Sequence, residues 1–144
     1  MEVLYQEIII NWQEKRNIDS IDDYKFDTNV LYQIYGDHHI YGRDTLLYIG
    51  KSINYENRFK SHINGVLGFA NNITFSVGYI KDFNDKLEIP ESILIANHKP
   101  SYNKEFIHDL PPEAKTKKII VINNGVNYLL KTCCTNYWWV NSLC

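Results

Sequence analysis

The chain has 144 residues, 44% hydrophobic and 14% aromatic, which is enough apolar material for one core and too much for a disordered tail. Fifteen Lys and Arg against seventeen Asp and Glu give a net charge of −2, which argues against a protein that coats nucleic acid by bulk charge. No apolar run approaches the roughly twenty residues of a membrane-spanning helix, so no membrane partner is expected.

In chain order, Val3, Leu4, Ile8 and Trp12 fall near a 3.6-residue period, which predicts an amphipathic helix over residues 2–16 within an N-terminal extension, 1–28. Acids outnumber bases seven to three in residues 1–30, and the remainder is mildly basic. Acids also occupy the first positions, where a secretory leader carries positive charge. The three cysteines, Cys133, Cys134 and Cys144, have neither disulfide-framework nor Cys-x-x-Cys spacing, so a reducing cytoplasm is the expected compartment.

Val30–Tyr35 and Leu46–Ile49, rich in β-branched and aromatic residues, predict two antiparallel strands joined by a loop over 36–45. Gly50 closes the second. Asn54 is placed to cap a helix through Asn64, with Arg58 and His62 four apart on one face. Residues 73–80 alternate as a third strand. Pro90 fits the first position of another helix, with Glu91 in its first turn, and Pro100 ends that helix near His98. Lys118–Ile122 and Val126–Lys131 flank Asn123-Asn124-Gly125, a strong hairpin signal. These elements predict one compact α+β domain. Trp138 and Trp139 are expected to pack the C-terminal hairpin on the N-terminal helix.

Several polar residues fall at the ends of these elements: Tyr32, Tyr48, Lys51, Arg58, His62, Glu91 and Asn103. Phenols, cations, an imidazole and a carboxylate suit phosphodiester hydrolysis, which needs charge neutralisation on phosphate, a base for water and relief of charge on the leaving oxygen. The five histidines show no His-x-x-x-His spacing, so zinc is not expected. In order and spacing, Val30-Leu31-Tyr32, Tyr48-Ile49-Gly50-Lys51, Arg58, His62, Glu91 and Lys99-Pro100-Ser101-Tyr102-Asn103 resemble the GIY-YIG nuclease family.

That resemblance covers residues 29–104 and leaves 105–144 as a C-terminal extension. It implies an α+β fold, a small antiparallel three-stranded sheet flanked by helices. It also implies a metal-dependent DNA endonuclease in which Glu91 holds one Mg2+, with Mn2+ as the alternative ion. Tyr32 would be the general base, aided by Lys51 and His62, and Arg58 would hold the scissile phosphate. Tyr48 would orient water or pack the site, and Asn103 would hold Glu91 or backbone near it. The first motif keeps the tyrosine but reads Val-Leu-Tyr, and the interval of sixteen from Tyr32 to Tyr48 implies an inserted hairpin tip. Near a helix N-terminus, Glu91 is expected to be ionised. The implied partner is duplex or branched DNA, with a homodimer for two-strand cutting. The alternative is a non-catalytic module on the same fold that binds nucleic acid or protein.

Overall fold

The computed structural model describes residues 5–17, 30–52, 71–81, 83–126 and 128–140. Its first element overturns the N-terminal helix. Tyr5–Trp12 is a strand, β1, with Ile8, Ile10 and Trp12 buried and Tyr5, Glu7, Ile9 and Asn11 facing outward. Ile8 and Trp12 fit a period of 3.6 or of 2 equally well; a buried Ile10 between them fits only 2. Three consecutive isoleucines also favour a pleated surface, because branching at Cβ restricts their rotamers in a helix.

The other elements are β2 (Arg16–Asn17), β3 (Val30–His38), β4 (Gly42–Ser52), β5 (Asn71–Tyr79), the helix α1 (Glu88–His98), β6 (Lys118–Gly125) and β7 (Cys133–Thr135). Short 3-10 turns follow at Pro112–Lys115 and Tyr137–Trp139. Among the described residues, seven strands make one mixed sheet in the order β4-β3-β5-β1-β6-β7, with β2 added alongside β5. This corrects the expected α+β fold with a small three-stranded sheet flanked by helices: among the described residues the regular structure is mostly strand, with one α-helix against the sheet. β4, β3 and β5 are antiparallel neighbours, but β1 continues the sheet. It meets β5 antiparallel at its end and runs parallel to β6 along its whole length. The expected helix Asn54–Asn64, with Arg58 and His62, lies outside the described residues.

The C-terminal hairpin also differs from expectation. β6 runs on through Asn123-Asn124-Gly125, and its antiparallel partner is Cys133–Thr135 rather than Val126–Lys131. The cause is a long-range contact that outweighs local turn propensity. The Trp12 indole N–H donates to Asn123 Oδ1 at 2.9 Å, 111 residues away in the chain, and Asn123 Nδ2 donates to the Lys131 carbonyl at 2.7 Å. Gly125, at φ +79°, lies against the Trp12 backbone where a Cβ has no room. Trp139 packs on the core, but Trp138 is exposed, so the expected packing of both tryptophans is corrected too.

Alternation divides the core between the two faces of the sheet. On one face α1, buried from Ile89 to Ala96, packs with Ile8, Ile10, Leu31, Ile49 and Ile119. The other face carries Val30, Tyr32, Ile34, Phe75 and Val77. Ile10 is 0% exposed and its neighbour Ile9 is 41% exposed. Urea denaturation is therefore expected to show Ile10→Ala losing about 2–5 kcal/mol and Ile9→Ala under about 1 kcal/mol. Equal losses would contradict the strand.

Candidate active site at the sheet edge

The β3–β4 register sets Tyr32 opposite Gly50 and Ile34 opposite Tyr48. The Tyr32 and Tyr48 rings stack with centroids 6.1 Å apart and planes 24° from parallel. A Cβ at position 50 would come within 2.5 Å of the end of the Tyr32 ring, so only glycine lets that phenol lie across β4. Lys51 is on the opposite face, toward α1. Its Nζ lies 3.4 Å from Glu91 Oε1 and 3.6 Å from Glu88 Oε2.

β4 is the end strand of the sheet among the described residues. Its outward backbone groups are covered by the chain that follows α1. Tyr102 N–H donates to the Leu47 carbonyl at 2.9 Å. Asn103 uses both ends of its amide on Ile49: Oδ1 accepts the N–H at 3.0 Å and Nδ2 donates to the carbonyl at 2.9 Å. Asn103 thus holds the backbone of β4 and not Glu91. α1 itself begins at Glu88, two residues before Pro90. Proline is tolerated there because the first-turn N–H groups have no partner within the helix.

A cavity of about 380 Å3 opens at this edge, lined by Tyr32, Tyr48, Lys51, Glu91 and Asn103. Five of the seven predicted site residues, from β3, β4, α1 and the segment after it, therefore share one hollow. Arg58 and His62 lie outside the described residues. Sequence reasoning did not single out Tyr102, Glu105 or Phe106, which also line the cavity, or Glu88. The signals were available: Tyr102 precedes Asn103 in the same motif, and Glu88 is one helical turn before Glu91.

Glu91 is 7% exposed. Burial pushes its carboxyl up to about 7; Lys51 pulls the other way, and Glu88 and Glu105 add to the rise. Burial is the largest of these effects, so the carboxyl keeps its proton to a higher pH than its place on the helix alone predicts. Lys51, expected to support a Tyr32 phenolate, instead directs its ammonium at Glu91 and Glu88.

No protein-family model, curated protein or solved structure matches the chain. The likeness to GIY-YIG nucleases therefore rests on the residues themselves.

The cavity offers hard oxygen donors from Glu91 and Glu105 beside an open mouth. Among the described residues, no three His, Cys, Asp or Glu side chains are grouped to hold a metal. One carboxylate plus water and phosphate oxygens is a donor set that suits Mg2+, so the residues present fit that ion.

The raised Glu91 carboxyl has a measurable consequence. The folded state binds this proton more tightly than the unfolded state does. Stability from the neutral form is therefore complete below the ordinary glutamate value of 4.5 and is lost as pH rises through about 7. His98, lowered mainly by burial, acts oppositely and loses stability as pH falls. Chemical denaturation in EDTA is expected to show wild type falling relative to Glu91→Gln by on the order of 3 kcal/mol between pH 4.5 and 8. A pH-independent difference would refute the burial account.

Proposed function

We propose that this chain is a metal-dependent DNA endonuclease that hydrolyses phosphodiester bonds in one step with one divalent cation. The observation that carries this reading is the convergence of two stacked phenols, a lysine, a buried glutamate and an amide clamp on one cavity. A phosphodiester needs charge neutralisation and an oriented water more than covalent assistance. Lys51, and Arg58 by its likeness to the family motif, would hold the scissile phosphate. Water would pass a proton to the Tyr32 oxygen while that phenol hands its own proton to His62, as the water oxygen bonds to phosphorus. The bond to the leaving sugar oxygen breaks at the same time. A divalent cation bound by Glu91 supplies neutralisation of the charge developing on phosphate and leaving group. Asn103 clamps the β4 edge, around which Tyr48 on one face and Lys51 on the other both line the cavity.

Two copies on DNA would cut both strands, and a restriction-type, mobile-element or structure-specific role is compatible with that. We place the protein in the cytoplasm on its cysteine pattern; no helix among the described residues is long and apolar enough to cross a membrane. One observation favours a second reading, a non-catalytic module that binds nucleic acid. Lys51 already engages both Glu91 and Glu88, which weakens the carboxylate as a cation ligand.

Supercoiled plasmid with Mg2+ or Mn2+ distinguishes the two. Nicking or linearisation that EDTA stops is expected, with Glu91→Gln and Arg58→Ala each slower by about 100-fold or more. Tyr32→Phe should lose a similar factor through kcat rather than KM. DNA binding with intact plasmid across duplex, branched and single-stranded substrates, or cleavage by Glu91→Gln at the wild-type rate, would remove the nuclease reading.

A further inference from the structure

The β3–β4 hairpin is longer than the site requires, and its tip carries the most exposed apolar side chains of that part of the chain. Ile40 and Tyr41 are 70% and 69% exposed. An isolated exposed apolar residue needs no explanation, but this tip is built to hold its shape. The His38 ring Nδ1 accepts the backbone N–H groups of Ile40 and Tyr41 at 3.0 and 3.2 Å, which puts its proton on Nε2 and fixes the turn. The same ring stacks on His39, with centroids 4.7 Å apart and planes 12° from parallel, and packs 4.7 Å from Tyr41. It also meets Tyr102, with ring centroids 5.6 Å apart, and Tyr102 lines the cavity. A run of aromatic rings therefore connects the cavity to the tip.

Charge at the tip points the same way. Both nearby carboxylates have partners of their own. Asp37 accepts from Asn72 Nδ2 and from the Asp44 N–H at 2.7 and 3.0 Å, and Asp44 pairs with Lys15 at 2.9 Å. Arg43, next to Asp44 in the chain, is exposed, and its charge also acts on Asp37. A rigid set of rings, a branched apolar side chain at the apex and a guanidinium at its flank suits a nucleic-acid strand with unstacked bases. Aromatic faces accept any base, an apolar wedge enters a base step, and arginine takes the adjoining phosphate.

The geometry points to the hairpin tip as a base-stacking wedge that selects DNA with unpaired or unstacked bases beside the scissile phosphodiester. Ile40 enters the step, Tyr41 and His39 stack on the splayed base, and Arg43 binds the backbone. This rests on the nuclease reading and narrows its substrate from DNA in general to flapped, bulged or branched DNA.

Full-length Glu91→Gln protein in EDTA reads binding without cleavage. Three fluorescent DNAs of one sequence would be compared by anisotropy: intact duplex, the duplex with a three-nucleotide bulge, and single strand. A 2-aminopurine at the bulge reports stacking. The bulged DNA is expected to bind about tenfold or more tightly than duplex, with quenched 2-aminopurine. Adding Ile40→Ala and Tyr41→Ala should erase that preference and the quenching while leaving duplex affinity within about twofold. Since both side chains are exposed, an unchanged Tm is expected and checks folding. A preference for intact duplex, or a tip variant that binds all three DNAs like its parent, overturns the inference. Wild-type plasmid cleavage is read separately. If it is absent while tip-dependent bulge binding persists, the nuclease reading fails and the wedge stands as a binding device. If cleavage is present and indifferent to the tip, the wedge fails alone.

Discussion

The amide of Asn103 holds the edge of the sheet, and the cavity exists because of it. An end strand leaves alternate backbone N–H and C=O groups without a ladder partner, and such groups must find water or protein. On β4 the groups at Leu47 and Ile49 face away from β3, and Tyr102 and Asn103 satisfy them from the segment after α1. Asn is suited to this because one planar group carries a donor and an acceptor at the spacing of a peptide unit. The path that delivers it is set locally. Lys99 adopts left-handed geometry at the end of α1, Pro100 then forbids helix, and the Lys99 ammonium bonds the Ile107 carbonyl. Residues 99–107 are thereby fixed against β4, and they form the wall of the cavity opposite Tyr32 and Tyr48.

Within that hollow, one ammonium serves two carboxylates. Lys51 is within ion-pair distance of Glu91 and Glu88, while Glu91 has little solvent to share its charge. The result is a carboxyl that holds its proton up to about neutral pH. A substrate phosphate brought into such a site adds negative charge and draws on the same lysine. Cations from elsewhere then become the limiting resource, which is the physical reason a single carboxylate of this kind is paired with a divalent ion in phosphodiester chemistry. The aromatic side of the cavity is fixed by geometry rather than charge. Gly50 leaves the gap that the Tyr32 ring fills, and the Tyr48 ring stacks beside it.

The parts of this architecture legible in the sequence are those fixed by local pattern. β3, β4 and α1 occur where β-branched runs, turn residues and prolines put them, although β4 and β3 extend further toward the tip than expected. The 36–45 segment reads as a loop because Gly36, Gly42 and the polar residues around them are turn formers. The sixteen-residue interval from Tyr32 to Tyr48 implies an inserted hairpin tip there. Strand pairing does continue into it, with bulges, as far as His38 and Gly42, held by Asp37, Thr45 and the His38 ring. β1, and the end and partners of β6, depart from the local pattern for one reason. The two strands pair with each other in parallel across most of the chain, and no local window contains that partner. Over so short a segment Ile8 and Trp12 imitate a helix, and Asn123-Asn124-Gly125 imitates a turn. Only burial of Ile10 and Asn123 separates the alternatives. At the edge of the sheet, the sequence order of Tyr32, Tyr48, Lys51, Glu91 and Asn103 at element ends is enough to group them around one cavity. The pairing of Lys51 with Glu88 is not legible in that order, since it depends on where α1 begins.

The same long-range pairing explains how Glu91 is held without flanking helices on every side. α1 packs against β4, β6 and β7; Glu91 near its start faces Lys51 on β4, and Asn97 near its end reaches β7. At that far end Asn97 Nδ2 donates to its own helix at Ile93 and to the Thr135 carbonyl at 2.7 and 3.0 Å. The His98 ring bridges the Leu94 carbonyl and the Lys131 N–H, each at 2.8 Å. Asn136, fully buried, binds the Ile119 N–H and the carbonyls of Ala114 and Lys117, each at 2.7 Å, and so ties the final turn to β6. Each of these polar side chains is buried or half-buried and has partners on two elements, so a displacement of the helix breaks several hydrogen bonds at once. β1, β6 and β7 therefore serve the site from a distance. They fix one end of the helix whose other end carries the carboxyl, while the β3–β4 hairpin is fixed independently through Asn103. A cavity framed by two separately anchored elements keeps its shape when a charged ligand enters, which is the condition for preorganised electrostatics.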